Sequence, residues 1–168
     1  MKGLFNWILC ILMMASLGYG QKKISKEEVE RMSLEADQSI NFILPENLDN
    51  FIATGTKLVF FGARWCKYCK RLNPRWLKVQ VQIEEGKTTK KKIMGKDIAV
   101  GKVDCTDVED FCQQHHADGF PTIFLYNNGK LIEEYTGEHK AMAIGKYFID
   151  KFDYFQYQEN HKRNRDEL

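Results

Sequence analysis

Hydrophobic positions along the chain fall into runs of different period, and each period predicts an element. Residues 57–61 (Lys-Leu-Val-Phe-Phe), 98–104 (Ile-Ala-Val-Gly-Lys-Val-Asp) and 121–126 (Pro-Thr-Ile-Phe-Leu-Tyr) are short, β-favouring and almost wholly apolar, the last with proline at its first residue. Such runs suit strands buried on both faces. Residues 39–43 alternate enough for a further strand before Pro45 punctuates it. Helical spacing appears over 45–52, where Leu48, Phe51 and Ile52 share a face and Gly55 is the stop. It appears again from Cys66 to about residue 85, with a kink expected at Pro74, and over 108–115, with Phe111 and Cys112 inward. Residues 138–155 repeat it, with Met142, Ile144, Tyr147, Phe148, Ile149 and Phe152 as the apolar set. Between these, 21–35 reads as a charged lead-in or short surface helix, and the lysine-rich 84–97 as a surface loop. Asn127-Asn128-Gly129 is a strong hairpin turn, returning through Lys130 to Tyr135. The order is strand, helix, strand, helix, strand, helix, strand, strand, helix. That alternation predicts an α/β fold whose central sheet is covered by helices on both faces.

The two ends break the pattern. Residues 4–17 form an apolar run preceded by Lys2 and followed by Gly18-Tyr19-Gly20 and the polar Gln21-Lys22-Lys23. This is the three-part layout of a secretory signal peptide. An uncleaved anchor is the competing reading, but the run is short for a bilayer span of about 20 residues. The chain closes on Arg165-Asp166-Glu167-Leu168, which looks like the Lys-Asp-Glu-Leu retrieval signal with Arg in place of Lys. The polar 158–164 segment should leave that signal exposed to a retrieval receptor. Retention in the endoplasmic reticulum lumen is expected, with secretion as the competitor. The expected divisions are a signal peptide at 1–20, a charged lead-in at 21–37, a folded domain at 38–155 and a polar tail at 156–168. Hydrophobic residues make up 43% and aromatic residues 12% of the 168, which suits a packed domain of ordinary size. A formal charge of +2 makes no electrostatic case for nucleic acid, and none is expected as a partner. No membrane span is expected once the leader is removed.

Five cysteines become four when Cys10 leaves with the leader: Cys66, Cys69, Cys105 and Cys112. An even count in an oxidising compartment suits two disulfides. Zinc is the alternative, with His115 and His116 as further ligands if the fold gathers them, but the wide Cys105–Cys112 spacing is unlike a zinc knuckle, and no metal is expected. Cys105 and Cys112 read as a structural disulfide tying a strand end to a helix, worth roughly 2–3 kcal/mol in the chain-entropy model; two buried thiols are the competing state. Cys66 and Cys69 sit on one helical turn, close enough to bond. A static bridge there competes with an exchanging one. Exchange needs a thiolate to attack and a second thiol to release the mixed disulfide. Cys66 opens the helix, where free N–H groups and the macrodipole favour negative charge. It is expected to be the exposed nucleophile, with Cys69 shielded and resolving. Arg64, Lys67, Lys70 and Arg71 add cations, each worth only about 0.5 kcal/mol at ~8 Å through water.

Trp65-Cys66-Lys67-Tyr68-Cys69-Lys70 with Pro74, Val100-Gly101-Lys102-Val103-Asp104, and Gly119-Phe120-Pro121-Thr122 together resemble a single catalytic domain of the protein disulfide isomerase family. The resemblance covers residues 38–155 and implies a thioredoxin-like fold. It also implies a cis peptide before Pro121, and a loop that faces the cysteines and presents backbone groups to an extended substrate. Trp65, Phe120 and Pro121 would then form the substrate-binding surface. The implied activity is thiol–disulfide oxidoreductase or isomerase chemistry on cysteine-containing secretory proteins. Glutathione or another redox partner of the compartment would recharge the pair. No cofactor is implied, because the two sulfurs carry the electrons. A client-binding chaperone or adaptor with little redox turnover is the alternative. The chain departs from the family at several positions. Lys67-Tyr68 replaces Gly-His between the cysteines, and Arg64 replaces a proline. Phe60 stands where a buried glutamate is usual, although its lysine partner remains as Lys102, and His139 stands in place of an arginine.

Overall fold

The computed structural model describes residues 24–86 and 98–167. The expected leader, the loop expected within 84–97 (beyond Gly86) and the terminal Leu168 lie outside the described residues. The apolar run at 57–61 becomes β1 (Thr56–Gly62), buried at all seven positions. It pairs in parallel with β2 (Ile98–Asp104) and antiparallel with β3 (Thr122–Asn127), which pairs antiparallel with β4 (Lys130–Glu134). The sheet order is β2-β1-β3-β4. Successive side chains leave a strand on opposite faces, so β1 feeds two cores. Leu58 and Phe60 join Trp76, Val79, Ile123 and Phe148 on one side. Val59 and Phe61 join Leu48, Ile52, Val103 and Phe124 on the other. A one-residue slip would exchange the two sets, so the register is firmly held.

The first core is covered by α1 (Lys26–Asp37), α3 (Lys67–Glu84) and α5 (Ala141–Asp166); the second by a 3₁₀ turn (Pro45–Asn47), α2 (Leu48–Ile52) and α4 (Glu109–Gln114). The expected mixed sheet with helices on both faces is therefore present. The lead-in is an ordered helix: Ser25 Oγ accepts a hydrogen bond from the Glu28 amide at 3.1 Å, and the Ser-x-x-Glu order is that of a capping box. The hairpin turn at Asn128 and Gly129 has φ of +49° and +79°, the backbone that the tightest hairpins need. Glycine suits the second of these positions because it has no Cβ to oppose a left-handed backbone.

Two elements differ from expectation. Residues 39–43 form no ladder, only a parallel bridge of Phe42 to Lys102. Side chains take over the pairing there: Gln80 accepts from the Asn41 amide at 2.8 Å and donates to the Ser39 carbonyl at 3.1 Å, while Asn41 Nδ2 donates to the Val100 carbonyl at 3.1 Å. The last helix does not stop near Phe155 but runs to Asp166. No proline or glycine interrupts it after Gly145, and Asn128 Nδ2 donates to Glu159 Oε1 at 3.0 Å, tying its far half to the hairpin. Among the described residues no helix is long and apolar enough to cross a membrane.

Candidate active site

Cys66 is the N-cap of α3, with extended backbone at φ −74° and ψ 113°, and its Sγ accepts the Cys69 amide at 3.1 Å. A sulfur replaces the usual hydroxyl or carboxylate cap, so a helix-end N–H points at the atom that would carry charge. Cys66 and Cys69 are joined as a disulfide, Cα to Cα 5.2 Å. The peptide before Pro121 is cis, and the Phe120 carbonyl oxygen lies 3.5 Å from Cys66 Sγ. Thr122 Oγ1 donates to the Gly119 carbonyl at 2.8 Å and pins this loop. Trp65 stands over Phe120 edge to face, ring centroids 5.9 Å apart. Trp65, Cys66, Cys69, Phe120 and Pro121 thus meet at one end of the sheet.

The exposure of the pair differs from expectation. Cys66 is only 5% exposed and Cys69 1%, so the order is as anticipated but neither is open. The Phe120 loop lies against the sulfur, and the Cys66 amide turns back to the Ala63 carbonyl at 3.1 Å. What is open is the rim: Trp65 is 63% and Tyr68 65% exposed. The cation cluster is also reduced. Arg64 turns away to Asp104 at 3.1 Å and Asp107 at 2.5 Å, and its amide donates to Thr106 Oγ1. Lys70 is held by both oxygens of Glu30 at 2.7 Å. Lys67 and Arg71 remain exposed, with no ion pair among the described residues.

Behind the pair, the wall is aromatic. Phe60 is fully buried against Trp76, centroids 5.4 Å apart. A Cβ built on Gly62 would lie 2.7 Å from the Phe60 ring and 3.3 Å from Cys69 Sγ, so the ring and the Cys69 sulfur flank the same point. Lys102, 2% exposed, donates to Asp37 Oδ1 at 2.9 Å and Asn73 Oδ1 at 3.0 Å, with Nζ 4.8 Å from the Phe42 ring centroid and 5.4 Å from that of Phe60. Asn73 in turn donates to Ser33 at 2.9 Å. Sequence reasoning missed Ser33, Asp37 and Asn73. The available signal was Asn73, a polar residue four after Cys69 on the helix's inward face. His139 is half-buried; burial, then Arg75, holds its imidazole below the ordinary value, and its carbonyl accepts from Arg75 at 2.9 Å. Cys105 at the end of β2 is joined to Cys112 of α4, Cα to Cα 6.0 Å. Among the described residues no three His, Cys, Asp or Glu gather to hold a metal ion.

A parallel β1–β2 pair, an antiparallel β3–β4 hairpin and a Cys-x-x-Cys helix tip facing a cis-proline loop define a class of redox domain. Residues 39–150 match the thioredoxin family model, and the chain belongs to that family. It is 39% identical over 105 residues to a protein disulfide-isomerase of Humicola insolens, covering 62% of this chain and 19% of that protein. It is 35% identical over 122 residues to a probable protein disulfide-isomerase ER-60 of Schistosoma mansoni, covering 70% and 24% respectively. The chain therefore spans a fifth to a quarter of the length of these relatives. Among solved structures, the zinc-bound form of human ERp44 aligns with a TM-score of 0.58 at 25% identity, over 67% of this chain and 30% of that one. Mitochondrial thioredoxin 3 of Saccharomyces cerevisiae, oxidized form, shares the fold with a TM-score of 0.53 at 22% identity, over 68% of this chain and 98% of that one.

Proposed function

We propose that the chain is a thiol–disulfide oxidoreductase acting on cysteine-containing secretory proteins in the endoplasmic reticulum lumen. The observation that carries this reading is the Cys66–Cys69 disulfide at the tip of α3, with Cys66 Sγ beside the Phe120 carbonyl. Its relatives named as disulfide isomerases support the chemistry, and the leader pattern with the Arg165–Leu168 tail supports the compartment.

In the oxidising direction a client thiolate attacks Cys66 Sγ. The Cys66–Cys69 bond breaks, a client–Cys66 mixed disulfide forms, and the bonding pair leaves on Cys69 as a thiolate that takes up a proton. A second client thiolate attacks the client sulfur of that bridge and expels Cys66. The client loses two electrons and two protons, and the pair gains them. Glutathione disulfide or a protein disulfide of the compartment then reoxidises the pair. In reduction, Cys66 thiolate attacks first and Cys69 resolves. The helix tip serves both directions, because the Cys69 amide and the macrodipole favour thiolate on Cys66 when it is expelled in oxidation and when it attacks in reduction. Trp65, Phe120 and Pro121 form the docking rim, and Cys105–Cys112 holds the β2 end beneath it.

The aromatic wall beside Cys69 favours a second reading, a client-holding adaptor, because the side chain that β1 sets beside Gly62 and Cys69 is Phe60, which cannot take the resolving proton. Turnover of a peptide disulfide separates the two. Cys66→Ser should abolish it, and Cys69→Ser should accumulate mixed disulfides with client. Client protection that survives in a Cys66/Cys69 double alanine variant, with no captured client from Cys69→Ser, would establish the adaptor instead.

A further inference from the structure

The family match begins at residue 39, so α1 lies outside it. It packs beside α3 and leaves two adjoining cavities of about 510 and 470 Å³, the first reaching Trp65 and Lys67 beside the redox pair and the second lying farther along α3. Their shared apolar side comes from Ile24 and Val29 at the start of α1, and Trp65 borders the nearer one. The opposite wall is cationic. Lys67, Arg71 and Lys78 follow one another along α3 at steps of four and seven, which places them in one stripe, and all three are exposed. Glu30, the acid on this groove, is already committed to Lys70 through both oxygens at 2.7 Å.

We infer that this groove receives an extended client segment carrying acidic side chains next to the client's reactive cysteine. The inference rests on the oxidoreductase reading, which puts that cysteine between Trp65 and Phe120. From Lys67 to Lys78 the helix advances roughly 16 Å, room for about five residues of extended chain. One edge of such a segment meets the apolar Ile24 and Val29, and the other meets cations that have no ion pair among the described residues. Exposed pairs each contribute only tenths of a kcal/mol, so three of them together give about a tenfold preference, and salt removes it. The groove would therefore choose among clients, while the cysteine pair does the chemistry.

The test uses the full mature chain and fluorescent peptides in which serine replaces the client cysteine. Three flanking glutamates are compared with three glutamines, on either side of the serine, and Kd is read by anisotropy. The glutamate peptide should bind about tenfold tighter on one flank, with the advantage lost in high salt and in Arg71→Glu/Lys78→Glu. The milder Arg71→Gln/Lys78→Gln should cut the preference to about the twofold that Lys67 alone supplies, and serves if the first variant folds poorly. Equal Kd values for the two peptides in the wild-type chain would overturn the inference. So would a dimer of the chain that the same substitutions dissociate, since the groove would then be covered by a second copy. Turnover of the cysteine-containing glutamine peptide is measured alongside. Its absence would defeat the oxidoreductase reading without obscuring the binding comparison.

Discussion

Tyr126 shows how a single buried group is felt across the pH scale. It lies in β3 against Phe124, and burial, with a smaller contribution from Asp49, pushes its phenol from the ordinary 10 up to about 12. In the unfolded chain the same group loses its proton near its ordinary value, so above it the unfolded state binds fewer protons than the native state. Stability is then fully present at neutral pH and falls between pH 10 and about 12. Tyr126→Phe should make that alkaline loss shallower by up to about 1.4 kcal/mol per pH unit, read from urea unfolding across the interval. An unchanged alkaline slope would contradict the assignment. At this scale the sequence was a good guide to identity and a poorer one to environment. Cys66, Cys69, Trp65, Phe120 and Pro121 were legible because a Cys-x-x-Cys helix start and a Phe-Pro-Thr strand start are local patterns. The covering of Cys66 and the diversion of Arg64 to Asp104 and Asp107 were not, because residues about 40 to 55 positions away produce them.

At the scale of elements, α1 is where the chain adds most to the fold its motifs announce. Its charged sequence suggested a loose lead-in, yet Ser33 and Asp37 on its inner side complete a buried polar network with Asn73 and Lys102. No local period reveals such a network, since its members come from α1, α3 and β2. A buried ammonium is tolerated only if paired. Asp37 supplies that pairing where Phe60 has removed any carboxylate on the strand itself. Breaking a buried pair costs about 3–5 kcal/mol, less where one partner reaches water. The Asp37 side chain is 24% exposed and Asn73 stays with Lys102. Asp37→Ala should therefore lower the unfolding free energy by about 1–3 kcal/mol. Lys102→Met keeps the stem's volume but leaves the buried Asn73 Oδ1 without its donor as well as Asp37 without its cation, so it should cost about as much as Asp37→Ala. Unfolding free energies unchanged by either substitution would show that the pair is not the anchor of α1. The strand expected at 39–43 was lost for a related reason, since Gln80 of α3 takes the hydrogen bonds a ladder would have used.

Over the whole molecule, the two disulfides sit on either side of β1's end in different surroundings. Cys105–Cys112 is sealed in the second core, whereas Cys66–Cys69 lies at a helix tip beneath an exposed aromatic rim. Exchange is proposed for Cys66–Cys69 and a static role for Cys105–Cys112. Redox equilibration of the purified protein with graded glutathione buffers, followed by thiol alkylation and mass spectrometry, reads both bonds in one experiment. The Cys66–Cys69 pair should open and close reversibly with a potential inside the roughly −270 to −120 mV span of exchange-active pairs, while Cys105–Cys112 stays oxidised throughout. A Cys66–Cys69 bond that resists reduction below about −300 mV would mark it as a structural staple and contradict the account.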